Sequence, residues 1–308
     1  MKLIHKKMSL MKFQMKFKDE QTCRDWLAEK RWGGHDKAVC PHCNHNVCYV
    51  HTGIDRYTCQ SCAKQFSIRT NTIFEGSRLP LVKWYIAIYL FTSMKKGISS
   101  IQLGKYIEVT QKTAWFMLHR IREVMNSGNS PFDGITEVDE AYFGGKEGNK
   151  HTINKFKNEK TAVIGLVNRD TKQVKAVAIP NADKENLLPK IGCNVKIGAT
   201  IVTDTYHAYK NLKNNFKHFT IKHSANEYVR LDSKVAFKIH TNTIEGFWSQ
   251  VKRGIYGIYH WASKKHINRY LNEYAFRYNG KENDDFMNFI NWFGNCEGKK
   301  VVYSNLIG

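Results

Sequence analysis

The sequence predicts an α/β protein in which a small metal-bound module and a helical segment precede a larger sheet-based domain. Three observations carry that expectation. Two Cys-x2-Cys pairs, Cys40/Cys43 and Cys59/Cys62, stand fifteen residues apart. From residue 80 to 125 the apolar positions recur at helical spacing. Beyond residue 132, short apolar runs alternate with helical stretches, the pattern of a sheet with crossing helices.

In chain order, residues 1–18 hold six lysines and no acid, and are expected to form a mobile basic arm. Gln21 to Trp32 predicts a short helix with Cys23, Trp26 and Leu27 on one side, stopped by Gly33-Gly34. Arm and helix make up residues 1–35.

Residues 36–75 contain the cysteine pairs. Each Cys-x2-Cys puts two thiolates at one tight turn, and two turns close a tetrahedral structural zinc site on Cys40, Cys43, Cys59 and Cys62. Val47–His51 and Asp55–Thr58 predict the intervening hairpin strands. His42, His45 and Cys48 are left out, because four thiolates fill the site and leave no open position for catalysis. Cys23, Cys193 and Cys296, with Cys48, are expected to be reduced thiols without a metal role.

Residues 76–128 predict a helix-turn-helix-like DNA-binding segment: Ser99–Ile107, a short link, then Thr110–Met125. Thr110 as N-cap would set Gln111, Lys112 and Thr113 on the first turn of a recognition helix, where base contacts arise. Arg120 and Arg122 are expected at phosphates. An ordinary helical hairpin with Trp115, Leu118 and Ile121 in its core is the alternative, since the turn lacks a glycine. Ser127–Pro131 reads as a linker.

Residues 132–308 form the expected catalytic domain. Strands are expected at Thr136–Phe143, Thr161–Asn168, Val174–Ile179, Ala199–Thr203 and Phe219–Lys222. Helical segments are expected at Ala182–Lys190, Tyr206–Leu212, Thr243–Tyr256 and Lys264–Tyr278. That order is the order of an RNase H-like domain, whose central strands present carboxylates at one edge. Asp139 lies on the first strand, Asp204 ends a later one and Glu245 sits on a helix, sixty-five and forty-one residues apart in turn. Hard carboxylate oxygens suit Mg²⁺ or Mn²⁺, and two such ions clamp the attacking and leaving oxygens of a phosphoryl displacement. Lys252, two helical turns beyond Glu245, falls on the same face and is placed to hold a DNA phosphate.

Each of these residues also has a reading without catalysis. Asp139 would be an edge charge beside Glu137 and Glu140, and Asp204 a cap for the next helix. Asn242 and Glu245 would form a capping box. Lys252 and Arg253 would be a solvated basic face; Arg253 is otherwise a DNA contact. Trp248 is expected in the core rather than stacked on a base. His240 and Asn242 are expected near the site. Gly144-Gly145 permits a tight turn but is no phosphate loop, because no helix with Lys-Ser/Thr follows it.

A net charge of +21 argues for a polyanionic partner, nucleic acid before an anionic membrane. Hydrophobic content of 42% supports real cores and excludes a mostly disordered chain. The longest apolar stretch, Trp84–Met94, is too short to span a bilayer, and the N-terminus shows no apolar signal region. A cytoplasmic, nucleoid-associated protein is expected.

The motifs resemble the zinc-ribbon insertion-sequence transposases related to eukaryotic Merlin elements. The resemblance rests on Glu137-Val-Asp-Glu140 with Gly144-Gly145, Thr203-Asp204 with Tyr206 and Tyr209, and His240-Thr-Asn-Thr-Ile-Glu-Gly-Phe-Trp-Ser249 with Lys252-Arg-Gly254. It continues through Tyr259-His260, Arg269-Tyr-Leu271 and Glu273–Asn279 and spans roughly residues 20–280. It implies a DDE-type transposase, with Asp139, Asp204 and Glu245 as the metal-binding triad and Lys252 as the basic residue after the glutamate. Such an enzyme binds terminal inverted repeats, nicks to free 3′-hydroxyls and joins them to target DNA, as a dimer or higher synaptic oligomer. A transposase-derived regulator without catalysis and an RNase H-like structure-selective nuclease are the rival readings.

Overall fold

The computed structural model describes residues 8–51, 53, 55–125, 130–144, 160–225, 227–233 and 235–307. The chain divides into two compact units: Met1–Met125 with Glu282–Gly308, and Asn126–Lys281.

In the first unit, α1 (Leu10–Lys16) starts where the Ser9 side chain accepts from the Lys12 amide. It lies inside the segment expected to be a free arm. Phe13 and Phe17 are the reason: both are buried, and Phe13 stacks on Tyr89 with ring centroids 4.2 Å apart. Residues 1–7 lie outside the described residues. Helix α2 (Glu20–Trp32) is capped by Asp19 and ended by Gly33 at φ 80°, a left-handed cap that glycine adopts without strain. Strands β1 (Cys48–His51), β2 (Arg56–Cys59) and β3 (Gln65–Phe66) make a small antiparallel sheet. Three helices follow: α3 (Leu81–Ser93), α4 (Ser100–Tyr106) and α5 (Gln111–Val124).

The second unit is a five-stranded mixed sheet. Strands β4 (Ile135–Phe143), β5 (Thr161–Asn168) and β6 (Gln173–Ile179) form an antiparallel meander. After α6 (Lys184–Asn194), β7 (Thr200–Asp204) pairs parallel with β4, and β8 (Lys217–Ile221) pairs parallel with β7. The spatial order is therefore β6-β5-β4-β7-β8, with β4 central. Helices α7 (Asn242–Gly254) and α8 (Ile267–Asn279) cover one face through Ile244, Phe247, Val251, Leu271 and Tyr274. The other face is closed by Leu187 and Ile191 of α6, and by Ala208 and Leu212 of a 3-10 segment, His207–Asn214. Because β5 is covered on both faces, all eight of its residues are buried and its side chains are almost wholly apolar.

The chain then returns to the first unit with α9 (Asp285–Phe293) and α10 (Ser304–Ile307). The tail expected to finish the catalytic domain thus belongs elsewhere. Phe289, Trp292 and Phe293 are buried in the aromatic core of the first unit, and the Trp292 indole N–H donates to the Ile121 carbonyl at 3.0 Å. Among the described residues no helix is long and apolar enough to cross a membrane.

Candidate metal centre and acidic site

The two Cys-x2-Cys turns have the same local build. The Asn44 amide donates to the Cys40 carbonyl and the Ala63 amide to the Cys59 carbonyl, closing two matching knuckles. The residue after each pair, Asn44 at φ 59° and Ala63 at φ 57°, is left-handed, which strains the alanine. The reversal brings the sulfurs together: Cys40 Sγ lies 3.7 Å from Cys62 Sγ, and Cys43 Sγ lies 3.5 Å from Cys59 Sγ. All four sulfurs lie within 4.8 Å of one another, the only such group of His, Cys, Asp and Glu among the described residues. The backbone N–H of Cys62 draws the Cys59 thiol down to about 6, toward the thiolate a metal needs. Burial pushes Cys48 up to about 11 and Cys23 and Cys296 up to about 12. Within the cluster, against the lowering pull of the His45 backbone N–H, burial and the other three thiols raise Cys43 to about 12 as well, so geometry and not acidity marks out the four ligands.

Helices α4 and α5 meet across a tight turn. Thr110 caps α5, its hydroxyl accepting from the Thr113 amide at 3.3 Å. The turn lacks a glycine because Glu108 takes the left-handed conformation at φ 53°. The glycine that matters is Gly104, inside α4: a Cβ there would come within 2.8 Å of the Val109 carbonyl. Gln111 and Lys112 are exposed on the first turn, and Thr113 is half-buried.

In the second unit, β4 carries the acidic motif. Asp139 stands opposite Gly165 of β5 in the antiparallel register. A Cβ on Gly165 would lie 2.4 Å from Trp248 Cζ2 and 2.8 Å from Ile244 Cδ1, so the bare glycine lets α7 lie close on the sheet beside Asp139. Burial pushes Asp139 up to about 6, and the charges of Asp204 and Glu245 add to the shift. Burial likewise takes Glu140 up to about 7, with Asp139 and Asp204 contributing and the Tyr209 hydroxyl opposing. The carboxylates from β4, β7 and α7 therefore share one electrostatic neighbourhood, although they are not gathered as tightly as the cysteines.

Asp204 ends β7, and one of its oxygens accepts from the Tyr206 amide at 2.9 Å. This contact is an Asx turn and not the expected helix cap: the following segment, His207–Asn214, has Tyr206 at its N-cap and no side-chain cap. Glu245 is not in a capping box. Its side chain accepts from the Thr241 hydroxyl at 3.1 Å and lies 3.2 Å from His223 Nε2. The start of α7 is held by Glu137: one carboxylate oxygen accepts from the Thr243 and Ile244 amides at 2.9 and 3.0 Å. The other takes the Thr243 hydroxyl at 2.8 Å and Arg169 Nε at 2.6 Å. Two helix N–H groups and an arginine thus satisfy this fully buried carboxylate, and the helix start gains an anion at its positive end. Glu245 is left to project from the first turn with 47% of its side chain exposed.

Two known families match this chain. A transposase zinc-ribbon domain matches residues 18–65, and an ISXO2-like transposase domain matches residues 131–279. The chain belongs to this transposase family. An uncharacterized protein in transposable element ISH50 of Halobacterium salinarum is 25% identical over 289 residues, covering 86% of this chain and 95% of the relative. An uncharacterized transposase-like protein of Haemophilus influenzae is 32% identical over 114 residues, covering 36% of this chain and 84% of the relative.

Two expected DNA contacts of the transposase need correction. Arg120 and Arg122 are 3% and 1% exposed. Arg120 donates to the Glu75 carbonyl at 2.6 Å, and Arg122 packs over the Phe91 ring. Met117 to Arg122 are buried without a break, so α5 is covered all round there and neither arginine is available to a phosphate from that position. Lys252 and Arg253 are exposed on the last turn of α7. Trp248 is 4% exposed and sits in the core, as expected. His240 Nδ1 lies 3.3 Å from Glu137 and burial lowers its pKa; Asn242 is exposed. Gly145 and residues 127–129 of the linker lie outside the described residues.

Proposed function

We propose that this protein is a DDE-type transposase with an RNase H-like catalytic domain. It binds the terminal inverted repeats of its element, nicks them to free 3′-hydroxyls and joins these to target DNA. The observation that carries the reading is the convergence of Asp139, Asp204 and Glu245 from β4, β7 and α7 of the second unit. The sheet order and the span of the matched transposase domain, which contains all three acids and Lys252, support it.

The acids fit divalent cations by the nature of their donors and by their charge. Carboxylates that burial and mutual repulsion push toward protonation form a site short of positive charge. Bound there, a pair of Mg²⁺ or Mn²⁺ ions supplies a more acidic attacking oxygen and a neutralised leaving 3′-oxygen. Asp139, Asp204 and Glu245 are the residues that would hold them. Glu137 fixes the first turn of α7, so that Glu245 starts from a set position. Lys252 offers its ammonium to a phosphate near that face. Cys40, Cys43, Cys59 and Cys62 hold structural zinc, and the exposed Gln111 and Lys112, with Thr113, read the element ends. Joining two ends calls for a dimer or larger synaptic assembly.

The test is a plasmid excision and strand-transfer assay in Mg²⁺ or Mn²⁺ on DNA flanking this gene, with Asp139→Ala beside the wild type. Joined products from the wild type alone support the reading. Tight end binding without cleavage by either protein assigns the chain to regulation instead.

A further inference from the structure

Just beyond the acidic site, α7 does not end in an ordinary cap. After Gly254 it widens into a π turn over Ile255–Tyr259, and His260 then takes φ 62°, ψ −35°. π turns and left-handed non-glycine residues are locally unfavourable and concentrate at functional sites. Here they turn two large rings outward: Tyr256 is 47% and Trp261 64% exposed. Together with Tyr142, Lys160, Lys252 and His260 these rings line a pocket of about 600 Å³. None of the described lining residues is acidic.

The pocket adjoins the residues assigned to cleavage. Phe143, also in the lining, lies on the Asp139 face of β4 four residues on; Lys252 lies on the Glu245 face of α7 two turns on, and Tyr256 follows just past the helix end in the π turn. Aromatic rings beside ammonium groups, with no carboxylate among the described lining residues, match a nucleotide: a flat base with an anionic phosphate. Bases stacked within a duplex hide their faces, so a ring face reaches Tyr256 and Trp261 only when the base is unstacked.

We propose that this pocket receives one unstacked nucleotide of the DNA end, its base against Tyr256 and Trp261 and its phosphate at Lys160 and Lys252. The proposal rests on the transposase reading and extends that site: besides cutting, it holds the DNA end open beside the cut. Lys252 thereby serves a nucleotide next to the scissile position.

The test uses full-length, zinc-loaded protein with Asp139→Asn, which prevents cutting during the measurement. The probe is a duplex of the gene-flanking terminal repeat carrying 5-iododeoxyuridine, moved in turn through the nucleotides around the cut. Irradiation is expected to cross-link one of these positions to the peptide holding Tyr256 and Trp261. Measured with protein saturating the duplex, the cross-link should fall at least tenfold with added Trp261→Ala and persist with Trp261→Phe. Cross-links that map elsewhere, or that survive Tyr256→Ala and Trp261→Ala together, overturn the pocket. If the wild-type protein still cuts the same duplex in Mg²⁺, the transposase reading stands without it. A wild-type protein that binds the duplex and never cuts it overturns that reading, and the proposal with it.

Discussion

The four cysteines and the three carboxylates Asp139, Asp204 and Glu245 are both sets of metal-type ligands, yet they are assembled in opposite ways. The cysteines come from two short turns of like geometry, and their sulfurs lie within 4.8 Å of one another. The carboxylates arrive on two strands and a helix, and no local turn fixes their spacing. A structural centre gains from closure, since a complete ligand set holds the chain together. A phosphoryl-transfer centre needs open positions for water and substrate. The tight group and the loose one fit those two demands.

The largest effect that separates them is on folding. Removing zinc from the first unit, by chelator or by Cys40→Ser with Cys43→Ser, is expected to unfold β1–β3, because apparent zinc binding to such sites is worth about 10–16 kcal/mol. Hydrogen exchange should show lost protection at residues 40–66 and retained protection in β4 and β5, whose core is made within the second unit. Loss of protection in both regions would erase the contrast between the two groups.

Next in size is Glu137→Ala. It leaves Arg169 and two α7 amides without their buried anion, and breaking a buried pair costs about 3–5 kcal/mol. Urea unfolding of the second unit should report that loss, and cleavage should fall with it as Glu245 loses its fixed base. Glu137→Gln keeps the shape and one acceptor and is expected to sit between the two.

Gly165→Ala tests the same positioning from the sheet side. The added methyl overlaps Trp248 and Ile244, so α7 must shift, at about 1–3 kcal/mol. DNA-end binding through the first unit should be unchanged while the cleavage rate falls. Equal losses of both would show that the strand is not what sets α7.

How far the sequence discloses these features depends on how local each cause is. The cysteine pairs, the Thr110 cap and the strand and helix centres follow from spacings within a few residues. The end of the apolar run Ala199–Thr203 marks Asp204 for the same reason, whereas Asp139 lies mid-strand and is picked out by its motif, Glu137-Val-Asp-Glu140. Glu137 escapes a sequence reading, since its partners Thr243 and Ile244 lie more than a hundred residues away and nothing near it signals a helix terminus. Arg120 and Arg122 mislead because charge suggests solvent, whereas α5 is packed on every side from Met117 to Arg122, which no helical periodicity announces. Phe13, Phe17, Phe289 and Phe293 announce burial, but an aromatic pattern does not say which core it joins. His223 carries no signal at all; only the fold brings it to Glu245.

The smallest expected effect is on pH dependence. Asp139 rises from 3.8 to about 6 and Glu140 from 4.5 to about 7 in the fold. The folded state therefore holds these protons more tightly than the unfolded chain. Their contribution to stability is full below about pH 4 and is lost as pH rises through about 7. A divalent cation reverses the loss by favouring the anions. Melting curves of the zinc-loaded protein should show a Mg²⁺-induced rise of a few degrees at pH 8 and almost none at pH 5. An equal rise at both would detach the cation from these carboxylates.

Above all, the loose acidic group is proposed to work through divalent metal at the cut phosphodiester. The most direct measurement is cleavage of a terminal-repeat duplex whose leaving 3′-oxygen is replaced by sulfur. Sulfur binds Mg²⁺ poorly and Mn²⁺ better, as softer ligands prefer softer cations. The substituted bond is expected to be cut far more slowly than the natural one in Mg²⁺, with much of the rate restored by Mn²⁺, and neither DNA cut by Asp204→Asn. Cutting that is insensitive to the sulfur in Mg²⁺, or that survives Asp204→Asn, would contradict a metal-dependent role for these carboxylates.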